Sequence, residues 1–156
     1  MKQKLEKPIT LIEPEYDVIK FTVPGEPRGK QRPRVVSRGG FARAYTPKET
    51  VNYENLVALS YQVQVGERKV HGPVEATIVA YFNIPKSVSN KKREEMKTET
   101  IPHTNKPDMD NIVKSITDGC NKIAFDDDSQ IYKINASKFY SENPRVDIIL
   151  KSQKEI

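Results

Sequence analysis

Hydrophobic and polar residues alternate with a period of two in several parts of the chain, and this pattern predicts β-strands. A proline or a polar turn closes each of these segments, as expected where strands end. The strands predicted in this way cover residues 18–23, 74–84, 131–140 and 146–150. A further pair of short strands is predicted on either side of Gly39-Gly40, because two glycines tolerate the positive dihedral angles of a tight hairpin turn.

A different periodicity predicts helices. Thr46 is expected to cap the first one, with Pro47 in its first turn and Glu49 completing a capping box, and the helix is expected to end near Gly66. Its predicted apolar face consists of Val51, Leu56, Leu59 and Val63. A short charged segment, residues 89–97, is predicted to be a solvated helix.

The third predicted helix starts at Asp110. One side of it is apolar and is expected to face the core, whereas Lys114 and Asp118 lie on the opposite side. The apolar positions are Ile112, Val113, Ile116, Cys120 and Ile123. One face of this helix therefore belongs to the core, and the other is available for chemistry.

The 156 residues fit one domain, with 36% hydrophobic and 30% charged residues. We expect a flexible arm at residues 1–16, the domain at 17–151 and a polar tail at 152–156. The sole cysteine, Cys120, excludes an intramolecular disulfide and is expected to be a small core residue. No secretory or membrane-spanning segment is recognisable, so a cytoplasmic protein without a membrane partner is expected.

The formal charge of +5 is concentrated in one stretch. Between Glu26 and Glu49 there is no acidic residue, and the cations there predict a surface that binds a polyanion. Alternatively, these cations point in several directions around the hairpin and its loop and form no single binding surface. The residues predicted to bind DNA are Arg28, Lys30, Arg32, Arg34, Arg38 and Arg43, together with Lys106 from a later motif. The aromatic residues Phe41, Tyr45 and Tyr53 are interpreted as packing residues, and His71 and His103 as ordinary surface or loop residues.

Acidic residues are concentrated in two other places. Asp108 and Asp110 would project to the same side if their segment is extended, so that two carboxylates could converge on one cation. Helix capping would explain one aspartate equally well. Lys114 and Asp118 follow at intervals of four residues, which is also typical of a surface ladder of ion pairs.

The second acidic cluster is the turn Asp126-Asp127-Asp128. Taken alone, such a turn is more often solvent-facing than functional. Neither cluster has the glycine and glutamate of an EF-hand calcium loop. Aspartates without histidine or cysteine suit Mg²⁺ or Mn²⁺, and beside a basic stretch they indicate metal-dependent hydrolysis of a phosphodiester.

Three sequence segments together resemble the RusA family of Holliday junction resolvases. The resemblance covers roughly residues 18–150 and is most specific between 106 and 131. It rests on Lys106-Pro-Asp108-Met-Asp110-Asn111-Ile112-Val-Lys114, on Asp118-Gly-Cys-Asn121, on Asp127-Asp128-Ser-Gln130-Ile131 and on the basic loop from Pro24 to Arg34.

The resemblance implies a homodimeric crossover junction endodeoxyribonuclease with an α/β (α+β) fold, in which two main helices pack on a mixed sheet. It implies that Asp108, Asp110 and Asp128 bind Mg²⁺, with Mn²⁺ as a possible substitute, and that Lys114 is catalytic. Asp118, Asp127 and Asn111 are expected to support these residues. The implied substrate is a four-way DNA junction, nicked symmetrically in recombination and repair, often by prophage-encoded members, without a small-molecule cofactor.

Two other functions remain open at this point. A nuclease with the same site could act on flaps or forks, because sequence does not determine the shape of the substrate. A DNA-binding protein without catalysis is also conceivable, although carboxylates beside a DNA-binding surface are unfavourable unless a cation neutralises them.

Overall fold

A computed structural model describes residues 14–154. It contains six strands, three α-helices and one 3₁₀ turn within these residues. In chain order they are β1 (Tyr16–Pro24), β2 (Arg34–Arg38), β3 (Phe41–Tyr45), α1 (Lys48–Gln64), β4 (Val74–Asn83), α2 (Asn90–Lys97), α3 (Met109–Cys120), the 3₁₀ turn (Asp128–Gln130), β5 (Ile131–Ser141) and β6 (Arg145–Gln153).

Four strands form a mixed sheet in the order β1-β6-β4-β5. Strands β4 and β5 run parallel, and the other neighbours are antiparallel. Every second residue of β4 and β6 is buried, which is the alternation that predicted these strands. The predicted mixed sheet with two main helices, in one domain, is confirmed.

Helix α3 crosses α1 at a point where the two backbones approach closely. A Cβ atom on Gly119 would lie 2.6 Å from the Cβ of Val57, so no larger residue fits at this crossing. The side chains of Ile112, Ile116 and Cys120 are buried as predicted. Burial raises the pKa of the Cys120 thiol to about 12, so this group is a neutral core residue at physiological pH.

The apolar face predicted for α1 is wrong at three of its four positions, and only Leu56 packs against the core. Val51, Leu59 and Val63 are exposed, and the helix instead buries Tyr53, Val57 and Tyr61 together with Thr50 and Ser60. These polar groups can be buried because most of them have partners: the Tyr61 hydroxyl donates to the carbonyl of Arg68, and the Ser60 hydroxyl donates to that of Leu56. The buried face of α1 therefore combines two tyrosine rings and Val57 with two hydroxyl side chains.

The start of α1 also differs from the prediction. Pro47 occupies the N-cap position, and no side chain caps the helix. The Pro47 carbonyl accepts from the backbone N–H groups of Thr50 and Val51, so the first turn is closed by backbone alone. In α2, by contrast, the Ser89 side chain accepts from the N–H of Lys92 as a regular cap.

The predicted domain boundaries need small corrections. Tyr16 already belongs to β1, and Ser152 and Gln153 still belong to β6, so neither the arm nor the tail has the limits predicted. The first and last strands pair along their full lengths, which extends the ordered sheet at both ends. The rest of the predicted arm, residues 1–13, and of the tail, residues 155–156, lies outside the described residues. None of the helices in 14–154 has the length and apolar character needed to cross a lipid bilayer.

Candidate active site

A short basic segment, residues 28–31, lies directly on α3, and we call it the docked loop. The Ser115 hydroxyl donates to the carbonyl of Arg28 at 2.7 Å, and the backbone N–H of Lys30 donates to the carbonyl of Asn111 at 2.8 Å. The side-chain hydroxyl of Thr50 on α1 accepts from the N–H of Gln31 at 3.1 Å. The docked loop is thus tied to both main helices.

Gly29 allows this close approach. A Cβ atom built on Gly29 would lie 2.8 Å from the Cβ of Pro107 and 3.1 Å from the Cβ of Asn111. Both contacts are shorter than real Cβ atoms normally make, so the loop can lie against the acidic motif only with glycine here. The predicted basic loop and acidic motif are therefore neighbours in space.

The ammonium group of Lys30 is held between two carboxylates. Its Nζ lies 2.7 Å from Glu54 Oε1 and 2.9 Å from Asp118 Oδ2, and all three side chains are about one-fifth to one-quarter exposed. Burial disfavours the charged amine, but the hydrogen bonds to Glu54 and Asp118 outweigh this effect and raise the pKa of Lys30. The ammonium of Lys30, which was predicted to contact DNA, therefore has two carboxylate partners within the protein, and one of them is Asp118.

The acidic motif occupies the start of α3. Asp108 is the N-cap residue, although its side chain makes no capping hydrogen bond, and Asp110 lies in the first helical turn rather than on an extended segment. Lys106 Nζ lies 2.7 Å from Asp108 Oδ1, and this hydrogen bond holds the pKa of the Asp108 carboxyl below its usual range. Asp108 is therefore ionised at neutral pH, in the region where the helix dipole also favours negative charge.

The Lys114–Asp118 pair extends this face of α3. The Lys114 ammonium is 3.5 Å from Asp118 Oδ1, and the Lys114 side chain is 58% exposed. A pair this exposed is weak, so the amine can exchange Asp118 for another anion at small energetic cost. Among the described residues, no ion pair involves Asp110.

A cleft of about 700 Å³ lies where the basic loop meets the acidic motif. Both basic and acidic side chains line it, and it is open to solvent. Its lining consists of Pro27, Arg28, Gly29, Lys30, Gln31, Arg32, Pro33, Arg34, Glu49, Thr50, Lys106, Pro107, Asp108 and Asn111. The cleft brings together five of the seven predicted DNA-binding residues with Asp108 and Asn111.

Lys138 supports the acidic motif and was missed by the sequence analysis. Its Nζ donates to the carbonyls of Asn105 and Pro107, each at 2.7 Å, and thereby fixes the segment that leads into Asp108. Burial lowers the pKa of this lysine, and the nearby Asp108 carboxylate opposes the shift. Only the position of Lys138 on β5, beside the motif, gives it this role, and no local sequence signal identifies it.

His103 lies in a loop, which is one of the two expected positions, but it is buried rather than on the surface. It is 8% exposed, and its ring stacks on Phe82 with a centroid distance of 3.7 Å. Burial, assisted by the charge of Lys138, lowers the pKa of His103 to about 4. Its backbone N–H donates to the carbonyl of Lys138, so a neutral histidine anchors the same segment.

The triple-aspartate turn lies beyond the other end of α3. Asp126 pairs with Lys69 at 3.1 Å, and Asp127 accepts from the N–H of Ser129 as the cap of the 3₁₀ turn. The backbone N–H of Asp128 donates to Asn121 Oδ1 at 3.1 Å. Asp126 and Asp127 thus have structural partners, whereas within residues 14–154 no ion pair involves the Asp128 side chain.

The two acidic clusters do not meet within one chain. Asp108 and Asn121 cap opposite ends of the twelve-residue helix α3 and so lie roughly 20 Å apart at a rise of about 1.5 Å per residue, and Asp128 is hydrogen-bonded to Asn121 at the far end. Ligands of one magnesium ion must lie within about 2.1 Å of it. Accordingly, residues 14–154 contain no group of three histidine, cysteine, aspartate or glutamate side chains placed to hold a metal ion. The expected convergence of three aspartates is not met in a single chain.

Arg38 and Arg43 lie away from the cleft, on the hairpin formed by β2 and β3. All ten residues of these two strands are exposed. Phe41 is 81% exposed and Tyr45 is 44% exposed, so neither is the packing residue that was expected, whereas Tyr53 is buried as predicted. These two strands form a separate sheet that does not pair with the four-stranded sheet, and their side chains remain exposed.

The chain with this fold, docked loop and acidic motif belongs to the endodeoxyribonuclease class, as the match to a family model shows. The family model described as "Endodeoxyribonuclease RusA" matches residues 24–151, and the chain belongs to this family. The resemblance inferred from the sequence is confirmed. Nucleases of this family generally depend on a metal ion. The chain is also 40% identical over 137 residues to the "Uncharacterized protein YqaN" of Bacillus subtilis (strain 168), a match covering 86% of this chain and 96% of that protein.

Proposed function

We propose that this protein is a Mg²⁺-dependent endodeoxyribonuclease that resolves four-way DNA junctions by paired symmetric nicks. The observation that carries this function is the cleft whose lining contains both Asp108 and the arginines Arg28, Arg32 and Arg34. Arginines attract and orient phosphates, and an ionised aspartate provides a ligand for a hard cation beside them. A DNA backbone in the cleft would thus be positioned next to the acidic motif.

Asp108 and Asp110 have the donor chemistry that Mg²⁺ requires, and they would provide two of its ligands. The third predicted ligand, Asp128, is too far away in the same chain. We propose that in a homodimer Asp128 of the partner subunit takes this place, which requires a two-fold axis beside α3, so that the two copies of the helix run antiparallel and the start of one lies against the end of the other. A bound magnesium ion would activate the water nucleophile and neutralise phosphate charge.

The remaining residues of the chain have roles in orientation and charge. Arg28 and Arg32 would position the phosphate backbone, and Lys114 would stabilise negative charge that develops on the phosphate oxygens. Asp118 restrains both Lys114 and, through Lys30, the docked loop. Asn111 and Asp127 would act through their contacts with the loop and the 3₁₀ turn. Water attacks the phosphorus, the P–O bond to the 3′ oxygen breaks, and ligatable ends remain.

Cleavage assays with three DNA substrates test this function. The purified protein is mixed with a four-way junction, a flap and a linear duplex of equal length, with and without Mg²⁺, at one salt concentration. We expect Mg²⁺-dependent paired nicks in the junction and little cleavage of the duplex. Preferential cleavage of the flap, or no cleavage of any substrate with Mg²⁺, would contradict the proposed function.

Two substitutions extend this test to the metal ligands. Asp108→Asn removes a ligand charge and should reduce cleavage by at least about 100-fold while junction binding is retained. Asp128→Asn should behave in the same way. If each site combines Asp108 of one subunit with Asp128 of the partner subunit, mixing the two inactive variants should restore one intact site per heterodimer and hence single nicks. Absence of any restored nicking in verified heterodimers would refute the shared site.

A further inference from the structure

The hairpin of β2 and β3 is an exposed element with no partner in the described part of the chain. Its two strands pair only with each other and form a separate two-stranded sheet. Gly39 and Gly40 form its turn with φ angles of 60° and 82°, as a tight hairpin turn requires. An isolated hairpin is marginally stable in water, so its sequence is better explained by what it binds than by packing.

The side chains of the hairpin are segregated between its two faces. Residues directly opposite in an antiparallel pair share a face, and the observed pairs include Arg34 with Tyr45, Val36 with Arg43 and Arg38 with Phe41. We call this the arginine–aromatic face; it consists of Arg34, Val36, Arg38, Phe41, Arg43 and Tyr45. The other face carries only small or uncharged side chains, namely Val35, Ser37, Ala42 and Ala44.

The chemistry of the arginine–aromatic face indicates its ligand. Three arginines with no acidic residue in the hairpin are complementary to a polyanion. Two accessible aromatic rings add a different specificity, because a ring can stack on a nucleobase only where that base is not already stacked within a duplex. Arg34 lies both on this face and in the lining of the cleft, so the two surfaces are continuous.

On the basis of the nuclease function proposed above, we propose that the arginine–aromatic face recognises the branch point of the substrate. The arginines bind backbone phosphates, and Phe41 stacks on a base exposed where strands exchange, with Tyr45 beside the cleft. Phe41 is adjacent to the turn and therefore reaches furthest from the body. Linear duplex offers phosphates but no exposed base face, so the aromatic contact favours branched DNA.

Binding of Phe41→Ala to two DNAs tests this recognition directly. Affinities for a four-way junction and for a linear duplex of equal length are measured without divalent ions, so that no DNA is cut. Removal of one stacking ring should weaken junction binding about 5- to 150-fold and change duplex binding less than about twofold. Phe41→Leu, which keeps apolar bulk but has no ring, should resemble Phe41→Ala. Equal effects on both DNAs, or no effect on either, would overturn the recognition by stacking.

A fluorescent variant gives a second measurement that does not depend on affinity. The chain has no tryptophan, so Phe41→Trp introduces a single reporter at the tip of the hairpin. It should bind the junction as tightly as the parent, and its emission should be quenched by the junction and much less by the duplex. Unchanged emission on saturation with the junction would refute the stacking.

An exposed face of this kind could instead bind a second copy of the chain. Sedimentation of Phe41→Ala without DNA distinguishes self-association from DNA recognition. An unchanged oligomeric state supports DNA recognition, whereas dissociation of a dimer would assign the face to a second copy of the chain. Cleavage by the parent protein in Mg²⁺ is independent of these results, so failure of the nuclease function and failure of branch recognition are distinguishable.

Discussion

Two halves of one cation-rich stretch have opposite surroundings in this molecule. In the docked loop, hydrogen bonds connect Arg28 and Lys30 to α3, and Lys30 is neutralised by two carboxylates. In the hairpin a few residues later, Arg38 and Arg43 are exposed and make no ion pair within residues 14–154. A run of like charges in a sequence therefore contains both a cation that is held within the protein, Lys30, and cations such as Arg38 and Arg43 that are free to bind a ligand.

The largest effect is expected from breaking the docking itself. Gly29→Ala places a methyl group 2.8 Å from the Cβ of Pro107, so the docked loop must move away from the acidic motif. We expect a loss of about 1–3 kcal/mol in the free energy of unfolding and at least a tenfold loss in junction cleavage. Chemical denaturation and single-turnover cleavage measure the two effects.

Gly39→Ala is the matched control for that substitution. It also strains the backbone, because its φ is 60°, but nothing lies within 4 Å of the added methyl group. The cost should be confined to the hairpin, and the midpoint of global unfolding should stay near that of the parent. Equal losses of global stability in Gly29→Ala and Gly39→Ala would contradict the distinction between a docked loop that packs on the body and a hairpin that does not.

Removal of the charge that holds the docked loop should have a slightly smaller effect. Lys30→Ala leaves Glu54 and Asp118 facing each other without the cation between them, which should cost about 1–2 kcal/mol of stability. Because the folded-state pKa of Lys30 is raised, its contribution is complete at neutral pH and disappears only as the pH rises through that pKa, above 10.5. Thermal unfolding at pH 7 measures the loss, and Lys30→Ala combined with Glu54→Gln should recover part of it.

His103, which anchors the segment that leads into Asp108, should make the stability of the protein depend on pH in the acid range. Its pKa is about 4 in the folded state, against 6.5 for the ordinary group, so the unfolded state binds more protons between these values. Stability should therefore fall as the pH drops from about 6.5 toward 4, by at most about 3 kcal/mol. His103→Phe keeps a ring against Phe82 and should lack this component. Parallel pH profiles for parent and variant, measured by denaturation, would contradict the assignment.

The smallest effect on stability is expected in the hairpin. Arg38→Ala removes an exposed side chain without an ion-pair partner among the described residues, so the free energy of unfolding should change by less than about 0.5 kcal/mol. Denaturation of this variant beside Lys30→Ala sharpens the contrast. A loss in Arg38→Ala as large as that in Lys30→Ala would show that the hairpin contributes to the core.

Local patterns predicted the parts of the fold in which burial is repetitive. The alternation in β4 and β6 and the apolar side of α3 follow directly from neighbouring residues. The buried face of α1 does not, because Thr50 and Tyr61 are buried against partners elsewhere, the N–H of Gln31 and the carbonyl of Arg68. Side chains that obtain hydrogen bonds only through the fold cannot be identified from hydrophobicity.

The candidate site was predictable in its chemistry but only partly in its geometry. The residue types and spacing of Asp108, Asp110 and Lys114 indicated a metal-dependent nuclease, and membership of the family agrees with this. The separation of Asp128 from Asp108 follows from the length of the helix between them, which was itself predictable. The roles of Lys30 and Lys138 depend on contacts between distant segments, and no sequence pattern reports these.

Lys30 holds the docked loop whereas the hairpin arginines are proposed to bind DNA, and the salt dependence of DNA binding tests this division of the cations most directly. Junction affinity is measured across a series of salt concentrations, without divalent ions, for the parent, Arg38→Ala and Lys30→Ala. Loss of one phosphate contact should reduce the slope of log affinity against log salt by about 0.9. We predict this reduction for Arg38→Ala and an unchanged slope for Lys30→Ala. An equal reduction in both variants would show that Lys30 binds phosphate and would contradict the division.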